Sequence, residues 1–134
     1  MMAANFAFEL VSPERLLLAS NDVTEVNVPG NEGYFTVMAN HAPFMSTIKP
    51  GVVTVKQSSG ADMKFVVMGG FADVTPAGFT ILAESATPVA EVSMADIDAQ
   101  IAEAKSAATS AKGDDDMALS AAYLDNLTSL RGML

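Results

Sequence analysis

The sequence predicts an α+β chain: a β-rich domain over residues 1–90, either a sandwich or a barrel, followed by an antiparallel two-helix hairpin over residues 91–134. Two observations carry this. From Asn5 to Pro88, short runs of Val, Ile, Phe and Thr are separated by Gly, Pro, Asn and Ser, the texture of many short strands. After Glu91 the apolar spacing changes from a period of two to helical spacing, and alanine becomes common.

The predicted strands are Phe6–Val11, Arg15–Ser20, Val23–Val28, Tyr34–Met38, Met45–Ile48, Val52–Gln57, Lys64–Met68, Phe71–Thr75 and Phe79–Ala83. Alternation is clear where Val23, Glu25 and Asn27 oppose Thr24, Val26 and Val28, and again over Val52–Gln57. Ser58-Ser59-Gly60-Ala61 and Thr75-Pro76-Ala77-Gly78 read as hairpin turns, with Gly free to take positive φ. Met38, Met45, Met63 and Met68 fall in strand contexts and are expected to fill core.

The first helix is expected to start at Ser93 as N-cap, with Asp96 in the first turn where the helix dipole favours it. Met94, Ile97, Ile101, Ala104 and Ala108 form its apolar stripe, and Gly113 is expected at its C-cap. Asp114, Asp115 and Asp116 open the second helix, whose stripe is Met117, Ala121, Leu124 and Leu127 or Thr128. The connection is short enough to make the helices antiparallel neighbours. Alanine buries little area, at about 25 cal/mol per Å² of apolar surface, so the pair is expected to be marginal alone.

Composition excludes several functions. The chain has 134 residues, half of them apolar, and a net charge of −9. Such a charge repels nucleic acid and gives no polybasic grip on an anionic membrane. There is no cysteine, hence no disulfide, thiolate metal site or cysteine nucleophile. No apolar run reaches the ~20 residues of a membrane span. The start of the chain has no basic residue and alternates Phe6, Phe8 and Leu10 like a strand, unlike a signal peptide. The protein is therefore expected to stay where it is made and to reach a membrane only through a partner.

No catalytic constellation emerges. His41 is the single histidine, beside Ala42-Pro43, and reads as a turn residue or a partner contact on an exposed loop. The glycines fit no phosphate loop and serve turns and a strand bend. The Asp114–Asp116 run lacks the spaced ligands of a calcium loop and reads as a solvated helix start. No catalytic residue, cofactor or metal site is expected.

One stretch is more particular. Val28-Pro29-Gly30-Asn31-Glu32-Gly33-Tyr34-Phe35-Thr36-Val37-Met38-Ala39-Asn40-His41-Ala42-Pro43 runs on to Ile48-Lys49-Pro50-Gly51. It resembles the signature of the epsilon subunit family of F-type ATP synthases, called delta in mitochondria. Leu10-Val11-Ser12-Pro13-Glu14-Arg15, Met68-Gly69-Gly70-Phe71-Ala72-Asp73-Val74 and Thr80-Ile81-Leu82-Ala83-Glu84-Ser85-Ala86 resemble three further family motifs, in the family's order and spacing.

The resemblance implies a ten-stranded β-sandwich followed by two helices. It implies a non-catalytic rotor subunit of the central stalk, bound to the gamma subunit and the c-ring, that couples ring rotation to gamma. That places it peripherally on the cytoplasmic face of the bacterial inner membrane, held there by the complex. Glu32, Tyr34, Asn40, His41 and Pro43 are the contact candidates carried over. The family usually has Leu-Gly where this chain has Phe35-Thr36, and Gly where it has Asn40, a residue that tolerates the left-handed backbone of such a turn. A stand-alone β-sandwich binding module for a ligand or peptide is the alternative reading. It explains the texture but not the ordered motifs.

Some relatives bind ATP through an I/L-D-x-x-R-A motif. The matching stretch here, Ile97-Asp98-Ala99-Gln100-Ile101-Ala102, holds Ile101 in place of the cation that would meet phosphates. Inhibitory relatives carry basic residues on these helices, toward the alpha and beta subunits. This hairpin has eight acidic residues from Glu91 onward against Lys105, Lys112 and Arg131. Inhibition by helix insertion is expected to be weak or absent. Isothermal titration with ATP is expected to give no micromolar binding; a micromolar affinity would refute the reading of Ile101.

Overall fold

A computed structural model describes residues 5–39 and 41–134. It divides into two compact units, Met1–Val89 and Ala90–Leu134. The first unit holds nine strands: β1 (Phe6–Val11), β2 (Leu16–Gly30), β3 (Gly33–Met38), β4 (Phe44–Ile48), β5 (Gly51–Gln57), β6 (Met63–Val67), β7 (Gly70–Thr75), β8 (Gly78–Ala83) and β9 (Ala86–Pro88). The second holds α1 (Met94–Ser110) and α2 (Asp114–Gly132), preceded by a short 3₁₀ turn at Val89–Glu91.

The strands form two layers that share β2. Leu16–Val23 of β2 pairs with β1, which runs parallel to β8, and β8, β7 and β4 follow by antiparallel pairing. Val23–Gly30 of β2 pairs with β3 and β5, and β5, β6 and β9 complete the second layer. Alternation explains the result, since every second residue of each strand points inward. Phe8, Leu10, Ala72, Val74, Phe79 and Ile81 come from the first layer, and Val26, Val28, Val37, Val53, Val55, Phe65 and Val67 from the second. The Phe8 and Phe79 rings tilt against one another at 5.4 Å.

Two predicted strands are one. Arg15–Ser20 and Val23–Val28 merge into the 15-residue β2, so the nine strands read from the residues become eight, and β9 brings the described chain to nine, against the ten that the resemblance implied. Asn21 and Asp22 do not break the strand but let it change layers, at a register irregularity opposite Phe6 and Phe8. The short β9 gave no sequence signal of its own. Met38 and Met45, expected in the core, lie 56% and 65% exposed, whereas Met63 packs against the core.

The layer change is pinned by Asp22. Its carboxylate accepts from the Ser58 hydroxyl, from Ser59 Oγ at 2.5 Å, from the Ser59 amide at 3.1 Å and from Asn5 Nδ2 at 3.2 Å. Its own carbonyl accepts the Ser58 amide at 3.0 Å. Three segments are thereby tied together: the approach to β1, the middle of β2 and the β5–β6 turn. A second close fit lies at Gly70, where φ is +136° and a Cβ would sit 2.1 Å from the Leu82 carbonyl oxygen. Only glycine permits that approach between β7 and β8.

In the hairpin, Ser93 caps α1 by accepting the Asp96 amide at 3.3 Å, as expected. Gly113 is not the C-cap of α1. That helix ends three residues earlier, and Gly113, at φ +84°, is the N-cap of α2. The Asp116 carboxylate reaches back to accept the Lys112 amide at 3.2 Å, tying the connecting turn to the first turn of α2. Ile97, Ile101 and Ala104 are buried on α1, as the stripe predicted. On α2 the buried residues are Leu127 and Leu130, whereas Met117 is exposed. An alanine-rich helix gives a weak phase signal, so its packing face is poorly marked in sequence. Among the described residues, no helix is long and apolar enough to cross a membrane.

Hydrogen bonds from two serines and an amide hold the Asp22 carboxyl below its ordinary value of 3.8. Because the folded value is depressed, its contribution to stability is full above the ordinary carboxylate range. It is lost as pH falls through the folded value. Asp22→Asn is therefore expected to lower the thermal midpoint at pH 7, with the gap to wild type closing toward pH 3. A gap independent of pH would show that the carboxylate charge has no part in the tie.

Candidate functional site

Glu32, Tyr34, His41 and Pro43 lie where β3 and β4 approach one another, with Ile48 of β4 pairing Gly30 at the end of β2. Gly30 and Gly33 close the β2–β3 turn, which leaves Glu32 exposed at its tip. β4 returns beside it, with the Asn31 amide donating to the Thr47 carbonyl at 3.0 Å and the Lys49 amide to the Pro29 carbonyl at 3.0 Å. Between β3 and β4 runs a groove of about 630 Å³, to which Glu32, Tyr34, Phe35, His41 and Phe44 contribute. The Phe35 and Phe44 rings meet edge to face at 5.4 Å across it.

His41 lies at the far end of this groove, exposed, with its ring 6.2 Å from that of Phe44. Its Nδ1 lies 2.8 Å from the Ala42 carbonyl oxygen, and its amide donates to the Met38 carbonyl at 3.2 Å. The backbone bond closes the turn, and the ring stays at the surface. His41 also borders a second groove of about 560 Å³, shared with Pro43, Met38 and the Thr75–Phe79 turn. Glu32, Tyr34 and His41 thus share one groove, and His41 and Pro43 the other. Asn40 lies outside the described residues.

Tyr34 has an internal role that its sequence position did not reveal. Its hydroxyl accepts the Val52 amide at 3.0 Å, holding the start of β5. The neighbouring Gly51 is required by this contact, because a Cβ there would lie 2.6 Å from both the Tyr34 hydroxyl and Pro29 Cβ. The ring remains 40% exposed, so one face is still available at the surface.

The outer faces of the two layers differ. The second layer presents Glu25, Asn27, Thr36, Thr54, Lys56 and Lys64, with a Glu25–Lys56 ion pair at 3.2 Å and with Met38, 56% exposed, beside Glu25. Its outward valines, Val52 and Val66, are buried. The first layer carries a cross-strand row, Leu16–Val11–Leu82–Phe71–Thr47, one residue per strand. Leu16, Leu82 and Phe71 are 57%, 56% and 50% exposed. Sequence reasoning missed this row. Its only trace is that both phases of β7 and β8 are apolar in places, at Phe71 and Leu82 as well as Ala72 and Ile81.

Among the described residues, no group of three or more His, Cys, Asp or Glu side chains could hold a metal ion, and no buried polar side-chain atom lacks a hydrogen-bond partner. On the hairpin, Arg131 Nε donates to Asp98 Oδ1 at 2.5 Å. That bond lowers the Asp98 pKa and raises that of Arg131.

Residues 5–89 match the family described as "ATP synthase, Delta/Epsilon chain, beta-sandwich domain". The chain belongs to the delta/epsilon family of ATP synthase subunits. A relative from Mesorhizobium japonicum, named ATP synthase epsilon chain, is 55% identical over 99% of this chain and 98% of its own. One of the same name from Brucella anthropi is 50% identical over the same shares. Among solved structures, a chain of the Euglena gracilis mitochondrial ATP synthase, in a structure of its OSCP/F1/c-ring, superposes with a TM-score of 0.78. It has 23% identity and covers 97% of this chain and 81% of that one. A chain from the Tetrahymena thermophila central stalk and c-ring reaches 0.57 at 16% identity, covering 65% and 69%. These two likenesses show the shared fold. Members of the family are non-catalytic subunits of the complex, in keeping with a surface built of turns and an apolar row.

Tyr34→Phe deletes the hydroxyl that receives the Val52 amide while keeping the exposed ring. It is expected to cost about 1 kcal/mol in chemical denaturation, the usual worth of one such bond. An unchanged denaturation midpoint would remove Tyr34 from the β5 anchorage.

Proposed function

We propose that this chain is a central-stalk subunit of the F1 sector of a proton-translocating ATP synthase. Its β-sandwich grips the gamma subunit and the c-ring, and so couples ring rotation to gamma. It is held at the cytoplasmic face of the bacterial inner membrane by the complex alone. The observation that carries this reading is the apolar row Leu16–Val11–Leu82–Phe71 on an otherwise acidic chain.

A cross-strand row of half-exposed large side chains on one sheet face, opposite a mainly polar face, is what a permanent partner would cover. Gamma is assigned to that face. Glu9 and Asp73 lie on the same face as the row, two residues along their strands from Val11 and Phe71, and favour a partner patch that is apolar with a basic rim. Glu32, Tyr34, His41 and Pro43, with Asn40, are assigned to contacts with the ring loops and the adjoining part of gamma. Their position on turns suits polar, geometry-specific contact. A packed sandwich core transmits load with little compliance, as a coupling element requires.

The hairpin is assigned at most weak regulation of ATP hydrolysis through the alpha and beta subunits. Eight acidic residues against three basic ones make it a poor match for an acidic target.

The double variant Phe71→Ser, Leu82→Ser removes the middle of the row at exposed positions. Co-purification with gamma is expected to fall at least about ten-fold, equivalent to about 1.4 kcal/mol. Thr54→Ala on the opposite face should leave it unchanged. Equal recovery of gamma with the double variant and with wild type would overturn the assignment.

A further inference from the structure

Core packing does not account for two methionines of the β-domain. Met63 packs against the core and Met68 is half-buried. Met38 and Met45, by contrast, are 56% and 65% exposed. They bracket the His41 turn, Met38 as the last residue of β3 and Met45 as the second of β4. The Met38 carbonyl accepts the His41 amide at 3.2 Å. Met38 lines the groove of about 560 Å³, Met45 lines the groove of about 630 Å³, and His41 borders both. A partner seated in either groove therefore meets a thioether.

A thioether is apolar and fills irregular contacts, and a mild two-electron oxidant makes it polar. The oxidant has to reach the sulfur lone pair, so exposure separates Met38 and Met45 from Met63. We propose that Met38 and Met45 are a redox modification site of the free chain, where a hydroperoxide converts both to sulfoxides and so weakens the entry of the chain into its complex. In this step a sulfur lone pair attacks one peroxide oxygen, an S–O bond forms and the O–O bond breaks. Sulfur loses two electrons. The other oxygen leaves as hydroxide and takes the proton of the transferred oxygen to become water.

The sulfoxide oxygen is an acceptor that needs a donor. Across the strands Met38 faces Glu25 and Met45 faces Asp73, and an ionised carboxylate offers none. The new oxygen keeps its water while the groove is open and loses it when a partner closes over it. The penalty thus falls on association and not on folding. The modification stands on the chain's own geometry, whereas its consequence rests on the partners proposed above.

The full chain is treated with hydrogen peroxide, and peptide mass spectrometry follows the gain of about 16 Da, one oxygen, at each methionine. Met38 and Met45 are expected to convert several-fold faster than Met63. Equal rates would overturn the site. Treated and untreated chains are then offered to gamma and the c-ring, and the ratio of the two recoveries is read for each chain. For wild type the treated recovery is expected to fall about five-fold or more, the lower end of what a buried polar group without a partner costs.

The double variant Met38→Leu, Met45→Leu keeps apolar bulk without an oxidisable sulfur, and its recovery should not change with peroxide. It retains Met94, Met117 and Met133 on the hairpin, which are 37%, 53% and 52% exposed, so a loss caused by them would persist in it. Equal losses in wild type and in the double variant overturn the proposal. Methionine sulfoxide reductases should restore the recovery of oxidised wild type, and a loss that survives reduction of both sulfoxides overturns it as well. Failure of the untreated chain to retain gamma and the c-ring would count against the partner assignment instead, with the oxidation rates still deciding the site.

Discussion

The passage of β2 from one layer to the other is the constraint on which the β-domain depends. A single 15-residue strand supplies pairing partners to β1 in one layer and to β3 and β5 in the other. Its inward residues Val23, Val26 and Val28 therefore sit in the core that both layers close over. A strand that bends between layers leaves backbone and turn groups to be satisfied at the bend. The Asp22 carboxylate and carbonyl do this, by gathering Asn5, Ser58 and Ser59 from two other parts of the chain. The parallel pairing of β1 with β8 then brings the end of the β-domain back against its beginning.

That arrangement has a consequence for the surface. At its Gly30 end β2 also pairs with Ile48 of β4, and β3 and β4 there flank a groove. The turns beside it carry Glu32, His41 and Pro43. This position also explains the double character of Tyr34, which spends its hydroxyl on the start of β5 and leaves its ring at the surface. The outer face of the first layer is the second consequence. Its strands lie in register so that Leu16, Val11, Leu82 and Phe71 align across four neighbours, and single apolar residues become one continuous strip.

The hairpin follows a different physics. Its seam is narrow, its connecting half is rich in alanine and exposed side chains, and its clearest polar link is one ion pair. The β-domain is held by a contiguous core and by sheet hydrogen bonds along every strand. The helices depend on a handful of contacts at one end. A stiff element and a marginal one thus share the chain, and the Asp22 carboxylate ties the first to pH.

By itself, the sequence determined the order and kind of elements. Period-two apolar spacing, turn residues and the Ser93 cap placed eight of the nine strands and both helices, because these are local signals. The ordered motifs around Gly30–Pro43 and Gly69–Val74 were also legible, since a turn needing glycine leaves its mark wherever it occurs. Only the tertiary structure decided that Leu16–Gly30 form one strand, since its continuity depends on partners distant in sequence. It likewise decided that Met38 and Met45 face outward, that α2 buries Leu130 as well as Leu127 and leaves Met117 exposed, and that Asp98 meets Arg131. The apolar row was hidden for the same reason. Its members are scattered along the chain, and cross-strand register is set by the whole sheet, not by any segment of it.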